Sequence, residues 1–393
     1  MTMKNEDMIA KMQEQFNEGL EKVAAAQKEA TEIITNMAEQ FSPQKNMEDM
    51  IQFQEDLFTG FQTLIDLTEE DVATDQLDKE VVFSIGKMTL VHYKPLVEAS
   101  KIKKTPLMVT YALINRQTML NLQDDRSVVK SLLEDGNDVY MIDWGYPTKE
   151  DKYMTIDDHV NWYMDECVDF IRKATGAKKV NLMGICQGGT FSTIYTAIHQ
   201  EKVNSLITLV TPIDFETNDG LLFRWGKDLK MDNMIDYYGV VPADVMNFSY
   251  LILKPLTLSF DKYVKMVPKM HDRKFLENYM RMERWTFDSP DQEGETLRQF
   301  VKDLYQGNKL VKGELVIGEH TVNLKNITCP VLMACGDADH LVPLAASEKF
   351  VEYVGSDDAT YMHFKTGHIG MFTSSKSQKE IVPNIVEWLA KRA

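Results

Sequence analysis

Three side chains in this sequence could act together on one carbonyl group. Cys186 lies in Gly184-Ile185-Cys186-Gln187-Gly188-Gly189, a G-x-Nu-x-G pattern with a thiol as the nucleophile. Glycines two before and two after the nucleophile let a strand and a helix meet in a sharp turn, because a Cβ at either place would obstruct the approach. Such a turn lifts the sulfur clear and aims the Gln187 N–H at the place where an oxyanion would form. Far downstream, Asp337-Ala338-Asp339-His340 supplies two carboxylates and Thr366-Gly367-His368-Ile369-Gly370 supplies an imidazole between glycines. A thiol, a carboxylate and an imidazole are the parts of nucleophilic acyl transfer: the imidazole takes the proton of the thiol and the carboxylate orients the imidazole. The competing reading of Cys186 alone is a buried structural cysteine in a strand–helix turn.

The elements around these residues decide between the readings. Val180–Ile185 has strand length, and Thr190–His199 continues as a helix. Val81–Ile85 and Met88–Tyr93 flank Gly86-Lys87 as a hairpin, and Pro106–Tyr111, Asp138–Ile142 and Ser205–Val210 read as further strands. Helices are expected at about 125–134 and 156–174. Two late strands, 329–336 and 359–364, end at the acid and base segments. His363 alternates on the last strand and reads as structural, whereas His340 abuts the acid and reads as supporting. Strands alternating with helices imply a mostly parallel sheet covered on both faces. The chain order Cys, Asp, His is that of the α/β-hydrolase fold. Alternation stops from about 213 to 325, where Met, Phe, Tyr and Trp are frequent, and this stretch is expected to be a cap inserted over the site.

The 393 residues carry a net charge of −17, and the pI is near 5.0, which argues against nucleic acid as a partner. No apolar run approaches a membrane span, and the N-terminus lacks the apolar core of a secretory signal. The four cysteines show neither a C-x-x-C pair nor metal-ligand spacing, so no metal or organic cofactor is indicated, and a reducing, cytoplasmic setting is expected.

Residues 1–45 form an amphipathic extension, with one apolar stripe from Ile9 to Phe41 and a break at Ser42-Pro43. A docking helix for another subunit or for an apolar particle is the preferred reading. A second amphipathic helix, about 47–67, is expected to pack on its own domain. The acidic residues 66–80 read as a solvated linker. The catalytic domain is expected over 81–393.

The box Leu182–Gly189 resembles the lipase-like box of polyhydroxyalkanoate synthases. Tyr111–Arg116, Ile142–Pro147, Arg281–Gln292, Asp339–Pro343 and Gly367–Gly370 resemble other segments of that family. The short catalytic chain is similar to the two-subunit class III type, with class IV a near neighbour. The resemblance covers about 80–393 and not clearly 1–45, and Leu344 stands where the family often has a second proline.

The resemblance implies an acyltransferase that polymerises (R)-3-hydroxyacyl-CoA, with 3-hydroxybutyryl-CoA the expected substrate, into polyester with release of CoA. It also implies a second synthase subunit, self-association and a place at cytoplasmic polyester granules. Cys186 would carry the acyl thioester and His368 would be its base. The resemblance selects Asp339 as the acid, either activating the chain hydroxyl or orienting His368. The Gln187 N–H and the Leu113 N–H, from the loop Ala112–Ile114, would hold the oxyanion. A cysteine hydrolase or acyl-CoA thioesterase is the alternative, and an inactive granule-coating protein is a third reading.

Overall fold

The computed structural model describes residues 43–392, in two compact units: 43–67 with 262–276, and 68–261 with 277–392. The amphipathic stripe read over 6–41 lies outside the described residues.

The smaller unit is built on helix α1, Pro43–Ile65. Gly60 gives it a flat place for residues 262–276: a Cβ there would lie 2.3 Å from Met270 Cβ. Met50, Ile51, Phe58, Phe61 and Ile65 of the helix remain exposed. Residues 262–276 were expected in the cap, but they group with α1.

The larger unit holds an eight-stranded sheet. Its strands are β1 Lys79–Ile85, β2 Met88–Tyr93, β3 Leu107–Thr110, β4 Val139–Asp143, β5 Val180–Ile185, β6 Val203–Leu209, β7 Val331–Gly336 and β8 Ala359–Phe364. Their spatial order is β1-β2-β4-β3-β5-β6-β7-β8. β2 runs antiparallel to β1 and β4, and all the other pairings are parallel. Successive residues point to opposite faces of a strand. Met108, Leu182, Leu206 and Met333 therefore enter one apolar layer, while Val109, Met183, Ile207 and Leu332 enter the other. β3, β5 and β7 are buried throughout, as strands covered on both faces must be. The chain reverses direction across the sheet between β3 and β5, which opens a crevice at their carboxyl ends.

The stretch between β6 and β7 packs on the helix after β5 and on itself through aromatic rings. Phe191, on the helix after β5, meets Phe300 edge-on at 6.2 Å between ring centroids, and Phe215 meets Tyr305 at 4.9 Å. Helix Asp158–Met164 is wound in wide π turns and continues as an α-helix over Asp165–Thr175.

The acidic stretch read as a solvated linker is partly docked. Asp75 accepts hydrogen bonds from Tyr93 Oη at 2.7 Å and Asn121 Nδ2 at 2.8 Å, and it pairs with Lys79. Arg281 donates to the carbonyls of Asp71 and Ala73. Tyr93, Asn121 and Arg281 lie outside the acidic stretch, so the charge run alone misled. Asp75→Ala should lower stability by about 1–3 kcal/mol, because two buried donors lose their acceptor. Asp75→Asn should recover part of this loss, as read by urea unfolding.

Candidate active site

The nucleophile turn is a product of steric crowding. β5 ends at Ile185, and a helix, α2, runs over Gln187–Ile198. Cys186 joins them at φ 53° and ψ −123°, a conformation costing a non-glycine residue about 1–3 kcal/mol. A Cβ on Gly184 would fall 2.4 Å from Gly189 Cα, and one on Gly188 would fall 2.4 Å from the Thr110 and Tyr111 carbonyl oxygens. The strand, the helix and the loop after β3 can touch only because these side chains are absent. Cys186 N–H donates to Leu209 O at 2.9 Å, which ties the turn to β6. Gln187 is the first residue of α2, where a helix leaves its N–H without an intrahelical acceptor.

The candidate acid and base follow the last two strands, β7 and β8. Asp339 follows β7 and its side chain is fully buried. One carboxylate oxygen accepts the N–H groups of Leu341 at 2.8 Å and Val342 at 2.9 Å, and the other lies 2.6 Å from His368 Nδ1. Asp337, the competing carboxylate, is instead 2.7 Å from His363 Nδ1 on an exposed edge. His368 is buried. Burial opposes its charged form, but the Asp339 carboxylate and hydrogen bond, and after them the Cys186 side chain, outweigh it and raise the pKa to about 10. The ring is therefore an imidazolium at neutral pH, beside the thiol.

His340 has no hydrogen bond to the triad among the described residues. Burial, and then the charge of Lys254, hold its ring below the usual imidazole range. The other cysteines are different in kind from Cys186. Burial pushes the Cys329 thiol up to about 11 and the Cys335 thiol to about 12, and raises that of Cys167 as well. Burial, and after it the charge of Cys186, raises the pKa of the Tyr111 and Tyr250 hydroxyls; for Tyr305 burial is followed by Tyr250 and then Cys186.

The Leu113 N–H expected in the oxyanion hole is already engaged, donating to Gln187 Oε1 at 3.1 Å. The next amide, of Ile114, finds no acceptor among the described residues. Sequence reasoning missed this exchange because nothing local marks Gln187 as reaching across to the loop.

A family model described as alpha/beta hydrolase fold matches residues 117–375. A poly(3-hydroxyalkanoate) polymerase subunit PhaC from Allochromatium vinosum is 45% identical over 350 residues, covering 89% of this chain and 98% of that protein. The chain belongs to the poly(3-hydroxyalkanoate) polymerase family. Proteins of the same name from Thiocystis violacea and from Synechocystis are 42% and 41% identical, each over 89% of this chain and over 98% and 94% of those proteins. No helix among the described residues is long and apolar enough to cross a membrane.

Two outcomes follow for this member of the polymerase family. Iodoacetamide at neutral pH should alkylate Cys186 well before Cys167, Cys329 and Cys335, as read by peptide mass mapping; equal labelling of all four would contradict the site's electrostatics. The folded His368 ring keeps its proton to about pH 10, whereas an unfolded histidine loses it near pH 6.5. Its stabilising contribution is thus complete below about pH 6.5 and fades as pH rises through about 10. The difference in urea midpoint between wild type and His368→Gln should therefore be larger at pH 6 than at pH 10.5.

Proposed function

We propose that this chain polymerises (R)-3-hydroxyacyl-CoA, with 3-hydroxybutyryl-CoA as the substrate, through an acyl thioester on Cys186. The observation that carries the reading is the Asp339–His368 pair beside a thiol held on a strained turn, in a chain whose relatives are named poly(3-hydroxyalkanoate) polymerase subunits.

The cycle has two balanced halves. The Cys186 thiolate attacks the substrate carbonyl, and the oxyanion is held by the Gln187 N–H and by one amide of the loop after β3. For that amide we assign Ile114, since the Leu113 N–H is spent on Gln187. The carbon–sulfur bond to CoA breaks, and the departing thiolate takes the His368 proton. A second molecule's hydroxyl then attacks the acyl-enzyme, His368 accepts its proton, and the Cys186 thiolate leaves. Exchange of an acyl group between two sulfurs is nearly isoenergetic, so a thiol nucleophile suits a thioester substrate. Both Asp339 oxygens are engaged and the side chain is buried, which supports the orienting role over direct contact with a chain hydroxyl. The burial of Tyr111 and Tyr250, both within electrostatic reach of Cys186, supports a site that keeps water from the acyl-enzyme.

The reading includes a second subunit, self-association and a place at cytoplasmic polyester granules; the relatives' naming as subunits supports the first of these. It also treats the stretch between β6 and β7 as a cap, with His340 supporting the acid.

The test is purified protein with (R)-3-hydroxybutyryl-CoA, following free CoA and the fate of the acyl group, with and without a class III partner subunit. CoA release with insoluble polyester, lost in Cys186→Ala, is expected. Release of free 3-hydroxybutyrate alone would make the enzyme a thioesterase. Asp339→Asn should slow first acylation and elongation by similar factors, because His368 serves both; a loss confined to elongation would return the hydroxyl-activating role to Asp339.

A further inference from the structure

Besides Gln187, a distant segment holds the loop that follows β3 at three places. Trp285 Nε1 donates to Arg116 O at 2.7 Å, Ser289 Oγ lies 2.7 Å from Asn115 Oδ1, and Gln292 Nε2 donates to Leu113 O at 3.1 Å. Residues Gln292–Glu293 pair antiparallel with Val240–Val241, so the segment is itself backed by a strand of the inserted stretch. Glu293 is buried and lies 3.1 Å from Lys87 Nζ, which anchors the far end.

Gln292 is the member bound to the Leu113 carbonyl, in the peptide that carries the Ile114 N–H. It is 2% exposed, and its Nε2 also faces the carbonyls of Pro290 at 3.2 Å and Asp291 at 3.1 Å. Three carbonyl oxygens around one amide end require the nitrogen there, because an amide oxygen could donate to none of them. The carbonyl of Leu113 and the N–H of Ile114 belong to one planar trans peptide and point in opposite directions. A donor fixed on that carbonyl therefore fixes the direction of the Ile114 N–H. If the carbonyl lost its donor, rotation of this peptide would turn the N–H away with it.

The geometry points to Gln292 as a positioning residue for oxyanion stabilisation: it holds the Leu113–Ile114 peptide so that the Ile114 N–H is presented to the reacting carbonyl. This rests on the acyl-transfer reading above. Gln292 touches neither substrate nor sulfur, so its effect is confined to steps that develop an oxyanion.

That confinement supplies the test. Alkylation of Cys186 by iodoacetamide forms the S–C bond and expels iodide without any oxyanion, whereas acylation by (R)-3-hydroxybutyryl-CoA passes through one. Both rates are measured on full-length wild type, Gln292→Met and Gln292→Glu. Gln292→Met should slow the first-turnover release of CoA by about 100-fold, the size of effect seen when one oxyanion donor is removed. Its alkylation rate should stay within about twofold of wild type, and its affinity for a non-transferable CoA thioether should be unchanged. Gln292→Glu regains a donor only when protonated, so its acylation defect should shrink as pH falls while that of Gln292→Met does not; it also serves if the methionine variant fails to fold. Acylation within about twofold of wild type in the folded variants, or equal losses in acylation and alkylation, overturns the assignment. A wild type that alkylates but releases no CoA overturns the acyl-transfer reading itself.

Discussion

The site depends on a close approach of backbones. Three segments, the end of β5, the start of α2 and the loop after β3, meet at distances that exclude a Cβ at Gly184 and Gly188. That contact forces Cys186 to φ 53° and leaves the residue half-buried at the turn. It also puts the first amide of a helix beside the thiol, where no intrahelical acceptor competes for the hydrogen. The strain of the turn, about 1–3 kcal/mol for such a conformation, is tolerated because the parallel strands on both sides are buried and fix the turn's ends.

Electrostatics then set the protonation state. Asp339 is locked by two backbone amides before it meets His368, so the carboxylate cannot turn away. A fixed negative charge holds the pKa of the buried ring well above the usual imidazole range, beside the Cys186 side chain. The other three thiols lie where burial disfavours the charged form.

Much of this was legible in the sequence, for a physical reason. Strand, turn and helix signals are local, so the nucleophile turn and the segments bearing Asp339 and His368 could be read from apolar runs and glycines. The choice between Asp337 and Asp339 was not local, because it depends on which carboxylate faces His368 and which faces His363 across β8. The donor in the loop after β3 was likewise unreadable: the Gln187 side chain occupies the Leu113 amide, and its reach is a matter of packing. The acidic stretch misled for the same reason, since Asp75 is defined by Tyr93 and Asn121. Aromatic residues after β6 signalled an insertion, but not that 262–276 would group with the helix 43–65.

The central claim is that the growing acyl group is carried on Cys186. The most direct measurement is rapid acid quenching after one turnover with a saturated acyl-CoA that lacks the 3-hydroxyl, followed by peptide mass mapping. Without a hydroxyl nucleophile the acyl-enzyme should accumulate, with the acyl mass on the peptide containing Cys186 and its release by neutral hydroxylamine marking a thioester. An acyl group found on another residue, or CoA released at the wild-type rate by Cys186→Ala, would contradict it.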